Sequence, residues 1–315
     1  MATIYTIKHD LTGETYKAIG LREFDSLCER LNIKSNTLFR AKAEGRNTLC
    51  GFNLVEASEA PKDVLTAVIV SDIHFCRESK ESISILYQIL SDIKEDVDEF
   101  IDLGDGVNND ALSSYVCVED KKYTLYEEIV AYKNHMDKVR EFLGEEVKCV
   151  VTQDNHFHLR KKRFLAENPA MVGLIPDISD RFDEEVPHGK LYFPFNQDRV
   201  GCIHGISVND CFTKKHIEMY GRYDVICGHT HTMQLYVTPS GTADTPPRRS
   251  YGIPSMCSVM EYLNGKPSRQ VNGFAVMTYN KESDLYNIEY VIVENSTAMF
   301  RGKLYKGGNI WHTVF

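Results

Sequence analysis

Residues that can bind a metal or transfer a proton recur in this sequence directly after short apolar runs. The first run, residues 67–70, is Ala-Val-Ile-Val and is followed within four positions by Asp72 and His74. Four later runs end in the same way, with Asp105, with Asn155 and His156, with His204, and with His229 and His231. Each ending taken alone is typical of a turn residue or a hydrogen-bonded histidine. Because rigid scaffolds present functional side chains at strand ends, five such endings indicate one shared site.

The donors in this set favour divalent metals. Carboxylates, imidazoles and an amide oxygen, without cysteine, suit borderline-to-hard divalent ions in six-coordinate geometry. Two aspartates and three or four histidines exceed what one metal with an open position needs. The count therefore favours two metals that share a carboxylate, about 3.5–4 Å apart. Asn155 and His156 are adjacent and cannot easily reach one metal, which leaves one of them available for acid–base chemistry.

Alternating strand and helix patterns must position these residues, and they predict an α/β fold. Apolar residues at helical spacing follow the first run, at Leu86, Ile89, Leu90, Ile93 and Val97. Residues 125–143 have the spacing of a long amphipathic helix that Gly144 ends. Residues 165–198 are expected to form a surface excursion. Further strands are predicted over residues 100–105, 147–152, 199–203 and 223–227, with a hairpin over 274–279 and 286–293.

Residues 1–60 are predicted to be a separate small α/β module, and residues 61–315 the catalytic domain. Two short helices around a turn near residue 33 suggest a helix-turn-helix that contacts DNA. Its candidate contact residues are Thr37, Arg40, Lys42 and Arg46. A helical hairpin that serves only for folding or docking is the alternative interpretation. Residues 57–63 have the composition of a linker.

Composition excludes several classes of protein. The chain has 315 residues, 43% hydrophobic and 26% charged, with a net charge of −9, which disfavours a protein that coats duplex DNA. No apolar run has the roughly 18–20 residues of a membrane span, and the first ten residues lack the apolar core of a secretion signal. The nine cysteines are scattered and without Cys-x-x-Cys pairs. Reduced cysteines in a cytoplasmic protein are expected, in host cytoplasm if the protein is viral.

Five motifs in a fixed order resemble the calcineurin-like metallophosphoesterase superfamily: Asp72-x-His74, Gly104-Asp105, Asn155-His156, His204-Gly205 and Gly228-His229-Thr230-His231. The resemblance covers residues 65–295. It implies a four-layer α-β-β-α sandwich of two mixed β-sheets, with metals at the carboxyl ends of the strands. Residues 157–163, 215–231 and 301–305 further resemble phosphoesterases of bacteriophage genomes and DNA-repair nucleases.

The resemblance also implies the role of each residue. One metal would be bound by Asp72, His74, Asp105 and His231. The second would be bound by Asp105, Asn155, His204 and His229, with Asp105 and a hydroxide bridging the two. His156 would not bind metal but would stabilise the transition state or protonate the leaving oxygen. The expected cofactors are two divalent ions, Mn²⁺ first, with Fe, Zn, Ni or Mg as alternatives.

Two motifs depart from the family pattern. In one, Asp154 stands where the family usually has glycine and Phe157 where it usually has Asp or Glu, and in the other Asn108 stands where many members have aspartate. The Asp-Arg-Gly that follows Gly-Asp in Ser/Thr protein phosphatases is absent from this sequence, which disfavours a phosphoprotein substrate.

The expected function is hydrolysis of phosphodiester bonds in DNA, RNA or a nucleotide. The basic run 160–163 is a candidate contact for a phosphate backbone, with the solvated start of a helix as the alternative. The alternative functions are a phosphomonoesterase or general phosphatase, and a non-catalytic metal-binding scaffold. The sequence gives no prediction of oligomeric state.

Overall fold

Two compact units, Met1–Asp63 and Val64–Phe315, make up the computed structural model of this chain. The structure describes residues 3–9, 12, 14–19, 21–44, 48, 52–59, 62–113, 123–239, 246–258 and 269–308.

The first unit is a three-stranded antiparallel sheet, in the order β2-β1-β3, with two helices. Its buried core includes Ile7, Phe24 and Leu38. The two predicted helices are present, whereas Arg46 lies outside the described residues. The linker prediction was wrong for residues 57–59, because Glu59 pairs with Thr3 at the end of β3. The elements are β1 (Thr3–His9), β2 (Thr15–Ile19), α1 (Leu21–Arg30), α2 (Ser35–Ala43) and β3 (Phe52–Glu59).

The second unit alternates strands and helices, which confirms the predicted α/β class. The strands over residues 64–70, 148–152, 200–203 and 224–227 are short and mostly apolar, as expected for strands that are buried on both faces. Its helices are α3 (Lys80–Ile93), α4 (Leu125–Leu143), α5 (Arg160–Glu167) and α6 (Phe212–Tyr220). Its strands are β4 (Val64–Val70), β5 (Val97–Asp102), β6 (Lys148–Thr152), β7 (Glu184–Val186), β8 (Val200–Ile203), β9 (Asp224–Cys227), β10 (Gln234–Val237), β11 (Arg249–Gly252), β12 (Gly273–Asn280), β13 (Leu285–Ile292), β14 (Thr297–Phe300) and β15 (Lys303–Lys306).

These strands form two mixed sheets and one short hairpin. The six-stranded sheet has the order β13-β12-β4-β5-β6-β7, in which β4 to β7 are parallel and the hairpin β12–β13 is antiparallel. The four-stranded sheet has the order β10-β11-β9-β8, with β8, β9 and β11 parallel. Strands β14 and β15 pair with each other.

Alternation along each buried strand gives two core regions. Val68 and Phe100 project from one face of the six-stranded sheet into a cluster with Leu86 of α3 and Ile129 of α4. Ala67, Ile101 and Val150, on the opposite face, belong to a cluster with Cys202 and Ile226 of the four-stranded sheet. The order of layers beyond these contacts stays a prediction.

Two local predictions were wrong. Val97 begins β5 instead of continuing α3, which ends at Ile93, because its backbone pairs with Thr66 of β4. Residues 165–198 are more than a surface excursion. They contain the last three residues of α5 and the edge strand β7, and Val186 and Tyr192 are buried in the core.

The register of the parallel strands decides where the functional loops lie. Val70 of β4, Asp102 of β5 and Val151 of β6 are aligned across the six-stranded sheet, and Ile203 of β8 is aligned with Cys227 of β9. The carboxyl ends of parallel strands meet at one edge of a sheet. The loops after β4, β5 and β6 therefore lie at one edge of the six-stranded sheet, and the loops after β8 and β9 lie at one edge of the four-stranded sheet. The predicted ligands begin in these five loops.

Candidate metal centre

The eight predicted site residues converge, and they form two groups around one carboxylate. The first group contains Asp72, His74 and His231. Nε2 of His231 lies 3.3 Å from Oδ1 of Asp72 and 3.1 Å from Nε2 of His74. Ligands that share one metal at about 2.1 Å are themselves separated by about 3 Å. This spacing suits a common metal, and these residues are the ones that the resemblance assigns to one ion.

The second group surrounds the ring of His204. Its Nε2 lies 2.8 Å from Oδ1 of Asn155 and 3.1 Å from Nδ1 of His229. His204 and the end of β9 are held together by the parallel pairing of β8 with β9.

Asp105 lies between the two groups. Its Oδ2 is 3.3 Å from Nε2 of His204 and 3.9 Å from Nε2 of His74. The same oxygen is 3.8 Å from Nε2 of His156. Asp105 is therefore the one predicted ligand whose carboxylate faces both groups, which is the position that a bridging ligand requires.

Hydrogen bonds on the far side of each ring fix which nitrogen faces the centre. Nδ1 of His204 lies 2.8 Å from the carbonyl oxygen of Leu103, and Nδ1 of His74 lies 3.1 Å from Oδ1 of Asn108. Because an oxygen acceptor requires a proton on Nδ1, the lone pair of each neutral ring is on Nε2 and points inward. Asn108, one of the departures from the family pattern, thus orients His74.

The backbone of the site is in an unusual conformation. Left-handed φ values of 52–73° occur at Asp72, His74, Asp105, His229 and His231. Residues other than glycine seldom adopt this conformation, and it is concentrated at functional sites where surrounding contacts hold it. The loops after β4, β5 and β9 thus turn abruptly, and residues two positions apart, such as Asp72 and His74, face the same centre.

Asp154, another departure from the family pattern, organises the two loops that flank Asp105. Its Oδ2 accepts a hydrogen bond from the backbone N–H of Asp105 at 2.8 Å, and its Oδ1 accepts one from Phe157 at 2.7 Å. The second bond caps the π-helical turn Asn155–Leu159, which carries Asn155 and His156. Gly104 allows this approach, since its φ is +100° and a Cβ there would lie 2.7 Å from Cβ of Asp154.

The centre is buried and strongly polar. Asp72, His74, Asp105 and His204 are each at most 1% exposed. Burial disfavours the charged form of Asp105, but His156 and His204 outweigh it and hold the pKa of that carboxyl well below its usual range. Burial opposes the charge of His204 as well, but Asp105 raises the pKa of that imidazole to about 9. Asp105 is therefore ionised at neutral pH, as a metal ligand must be, whereas His204 has to lose a proton before its Nε2 can bind a metal.

An unsatisfied atom supports a metal at this position. Oδ1 of Asp72 is fully buried and has no hydrogen-bond partner, although it faces His231 and His74. A buried carboxylate oxygen without a partner is costly. A cation between these side chains would satisfy it, so the donor set and the orphaned oxygen both fit a divalent ion.

Several residues of the site were missed by sequence reasoning. Cys257 places Sγ 3.5 Å from Nδ1 of His231, and Ser71 donates to Oδ2 of Asp72. Neither residue carries a signal in sequence, since a single serine or cysteine belongs to no spaced motif. The basic run 160–163 begins α5. Within it, Arg160 contacts His156, and Lys161 pairs with Asp177 at 3.0 Å.

Comparisons with known proteins identify similar solved structures. No family model matches this sequence, and no curated protein matches it. The chain is similar to Vps29 complexed with Zn²⁺ from Entamoeba histolytica, with 12% identity over 72% of this chain and 99% of that one, at a TM-score of 0.36. It is similar to a predicted phosphoesterase from Streptococcus pneumoniae, with 12% identity over 78% and 99%, at a TM-score of 0.33. It is also similar to PhoD, with 10% identity over 97% and 82%, at a TM-score of 0.39.

Because the TM-scores are below 0.5, only the geometry of the site bears on the chemistry of this chain. No helix in the described part of the chain is long and apolar enough to cross a bilayer.

Proposed function

We propose that this chain is a metal-dependent phosphoesterase that hydrolyses phosphodiester bonds in nucleic acids or nucleotides. The observation that supports the proposal is the pair of donor groups on either side of one buried carboxylate, Asp105. Two divalent ions held by these groups would supply an activated water and positive charge for the phosphoryl group. Mn²⁺ is the ion that we propose first, because it suits mixed carboxylate, amide and imidazole donors.

His156 has the position of a residue that acts on the ester. Its backbone N–H donates to Oδ1 of Asp105 at 3.1 Å, and its Nδ1–H donates to the carbonyl of Asn108 at 2.9 Å. These bonds direct Nε2 towards the centre, 3.8 Å from Oδ2 of Asp105. A protonated ring held in this way presents an N–H to an oxygen of the bound ester. Protonation of the leaving oxygen matters most for the poor alkoxide leaving groups of diesters, which is why we propose a diesterase.

The activity is tested with Mn²⁺-loaded protein on bis-p-nitrophenyl phosphate and on p-nitrophenyl phosphate. We expect faster hydrolysis of the diester, and a loss of about 10²–10⁴-fold in kcat for His156→Ala with bound metal unchanged. His9→Ala, in the first unit, is the matched control. Absence of metal-dependent hydrolysis of either ester would refute the proposal, and preference for the monoester would replace the diesterase with a phosphomonoesterase.

The substrate class is tested separately with single-stranded DNA, double-stranded DNA, RNA and small nucleotide diesters. Cleavage of a nucleic acid by wild-type protein, and its loss in His156→Ala, would support a nuclease. Cleavage of small nucleotide diesters alone would exclude the nuclease and retain the phosphodiesterase.

A further inference from the structure

Arg160 lies beside His156 at the edge of the centre. It is the first residue of α5, one helical turn after His156, so the two side chains lie on the same face. Its NH2 is 3.3 Å from Nε2 of His156. Its NH1 donates to the carbonyl oxygens of Asn108, at 2.8 Å, and of Asn109, at 3.3 Å. The guanidinium is thus held at a defined position next to the ring that acts on the ester.

One carbonyl oxygen joins these two side chains. The carbonyl of Asn108 accepts from NH1 of Arg160 and also from Nδ1 of His156. A carbonyl has two lone pairs and satisfies both donors. In the neutral form of the His156 ring, with its proton on Nδ1, Nε2 accepts from Arg160. In the protonated form, which the proposed acid chemistry uses, Nε2 is a donor and this bond is absent. The guanidinium of Arg160 and Nε2 of His156 therefore lie side by side at the edge of the centre.

The charge of Arg160 is not neutralised by an ion pair. Within the residues that the structure describes, no carboxylate lies within ion-pair distance of its guanidinium, whereas the next residue, Lys161, pairs with Asp177. Arginine has five N–H donors, and the described hydrogen bonds of Arg160 use at most three of them. A half-buried guanidinium with donors remaining, beside a proposed site for an anionic ester, is suited to an oxyanion.

We propose that Arg160 binds a non-bridging oxygen of the scissile phosphate. This inference rests on the proposed function, which supplies the phosphoester. The planar guanidinium matches two phosphate oxygens and would orient the ester against His156. The ligand class that it recognises is a phosphoryl oxyanion, whether in a substrate or as free inorganic phosphate.

A purely structural role is the competing explanation, because Arg160 also ties the 108–109 loop to α5. Arg163 provides the matched control, since it lies one turn further along the same helix and its NH2 donates to the loop carbonyl of Leu112 at 3.0 Å. Both arginines bond to the carbonyls of a neighbouring loop, but the described contacts place only Arg160 beside His156.

The test measures inorganic phosphate binding to the Mn²⁺-loaded full-length protein by calorimetry, together with kcat and KM on bis-p-nitrophenyl phosphate. We expect Arg160→Gln to weaken phosphate binding about 10-fold or more, to lower kcat/KM by a similar or larger factor, and to leave bound Mn²⁺ unchanged. Arg163→Gln should change each value less than 2-fold. Arg160→Lys should recover part of the phosphate affinity, and added guanidinium should partly restore hydrolysis in Arg160→Gly.

The outcomes separate this inference from the proposed function. Phosphate binding that is equal in Arg160→Gln, Arg163→Gln and wild-type protein would overturn the role of Arg160 while leaving hydrolysis standing. Phosphate binding that depends on Arg160, in a wild-type protein that hydrolyses no ester, would refute the proposed function and retain the phosphate site. If Arg160→Gln fails to fold, the phosphate affinity of Arg160→Lys and the guanidinium rescue decide the question. If Arg160→Lys then binds phosphate as tightly as wild-type protein does, and guanidinium restores no hydrolysis in Arg160→Gly, the proposed role of Arg160 is overturned.

Discussion

At the scale of the residue, three carboxylates organise the candidate centre: those of Asp72, Asp105 and Asp154. Asp105 faces both donor groups. Asp72 belongs to the first group, and its buried Oδ1 has no hydrogen-bond partner. Asp154 accepts hydrogen bonds from the backbone N–H groups of Asp105 and Phe157 and so joins the loops that carry Asp105 and His156. The first two residues are proposed to bind ions, whereas the third positions the loops, and substitutions should distinguish the two roles.

Asp72→Asn should lower Mn²⁺ affinity by at least about 10–100-fold and abolish hydrolysis. The amide oxygen can still accept from the backbone N–H of His229, as Oδ2 does now at 2.8 Å, so the loop keeps its shape while the ligand loses its charge. Bound metal is measured by mass spectrometry after dialysis. Asp137→Asn, a surface carboxylate that pairs with Arg181, is the control. Wild-type metal content in the Asp72 variant would show that this residue is not a ligand.

Asp154→Ala should destabilise the second unit by about 3 kcal/mol or more, since it leaves the buried N–H groups of Asp105 and Phe157 without their charged acceptor. Hydrolysis should fall with it, because the turn that carries His156 loses its cap. Urea unfolding of metal-free protein measures the free energy. Asp180→Ala, which removes surface ion pairs with Lys133 and Arg181, should cost at most about 1 kcal/mol. Equal unfolding free energies for the two variants would contradict the positioning role.

At the scale of the element, the loops after five strands carry the residues of the site. Helices pack on one face of the six-stranded sheet from which three of these loops leave. The left-handed residues lie in loops that follow β4, β5 and β9. Helices α3 and α4 pack on the six-stranded sheet and enclose His135, which is 2% exposed. This histidine gives the helix pair a dependence on pH that is separate from the metal ligands.

The pH dependence has a definite sign. Burial lowers the pKa of His135 to about 3, and Nδ1 accepts from the hydroxyl of Tyr87 at 2.8 Å. The unfolded chain has a pKa of about 6.5 at this residue and binds the proton first as the pH falls. The unfolding free energy should therefore decrease from about pH 6.5 towards pH 3, by about 2 kcal/mol between pH 6 and pH 4 from this group.

His135→Gln should remove that part of the pH dependence. Glutamine does not titrate, and it can still accept from Tyr87. Urea unfolding at pH 4, 5 and 6, with a chelator present in both proteins, measures the slope and eliminates the contribution of metal binding. An identical slope in wild-type protein and variant would show that His135 already titrates normally in the folded state.

At the scale of the whole molecule, the described residues form two units with different charge. By count, residues 1–63 contain nine basic and nine acidic residues, so the net charge of −9 resides in the remainder of the chain. All eight residues of the candidate centre and Arg160 lie in Val64–Phe315. A role of the first unit in binding DNA or in docking stays a prediction.

A protein that comprises residues 61–315 should retain Mn²⁺ binding and hydrolysis of bis-p-nitrophenyl phosphate within about 2-fold, because no predicted ligand is removed. If the first unit contacts nucleic acid, this shorter protein should lose activity on nucleic-acid substrates only. Circular dichroism establishes folding before the assays. A folded fragment that binds Mn²⁺ but has lost hydrolysis of the small diester would show that the first unit contributes to catalysis.

The sequence by itself determined the residue types of the centre and the elements that carry them. Apolar β-branched runs, such as the one in β4, predict buried strands because burial on both faces leaves no polar positions. Spacings of three and four residues likewise located the helix from Leu125 to Leu143. The candidate ligands were recognised because aspartate, asparagine or histidine follows each of five predicted strands, which five independent turns would not be expected to show.

Only the tertiary structure decided which donors lie close together and what surrounds them. Asp72 and His229 are 157 positions apart and meet through a 2.8 Å hydrogen bond, because the loops after β4 and β9 come together. Likewise, the approach of Asp154 to Asp105 depends on the register of β5 and β6 and on the left-handed turn at Gly104. Local sequence patterns report the period of a strand or helix. Contacts between distant loops depend on sheet order and register, which a single strand does not encode.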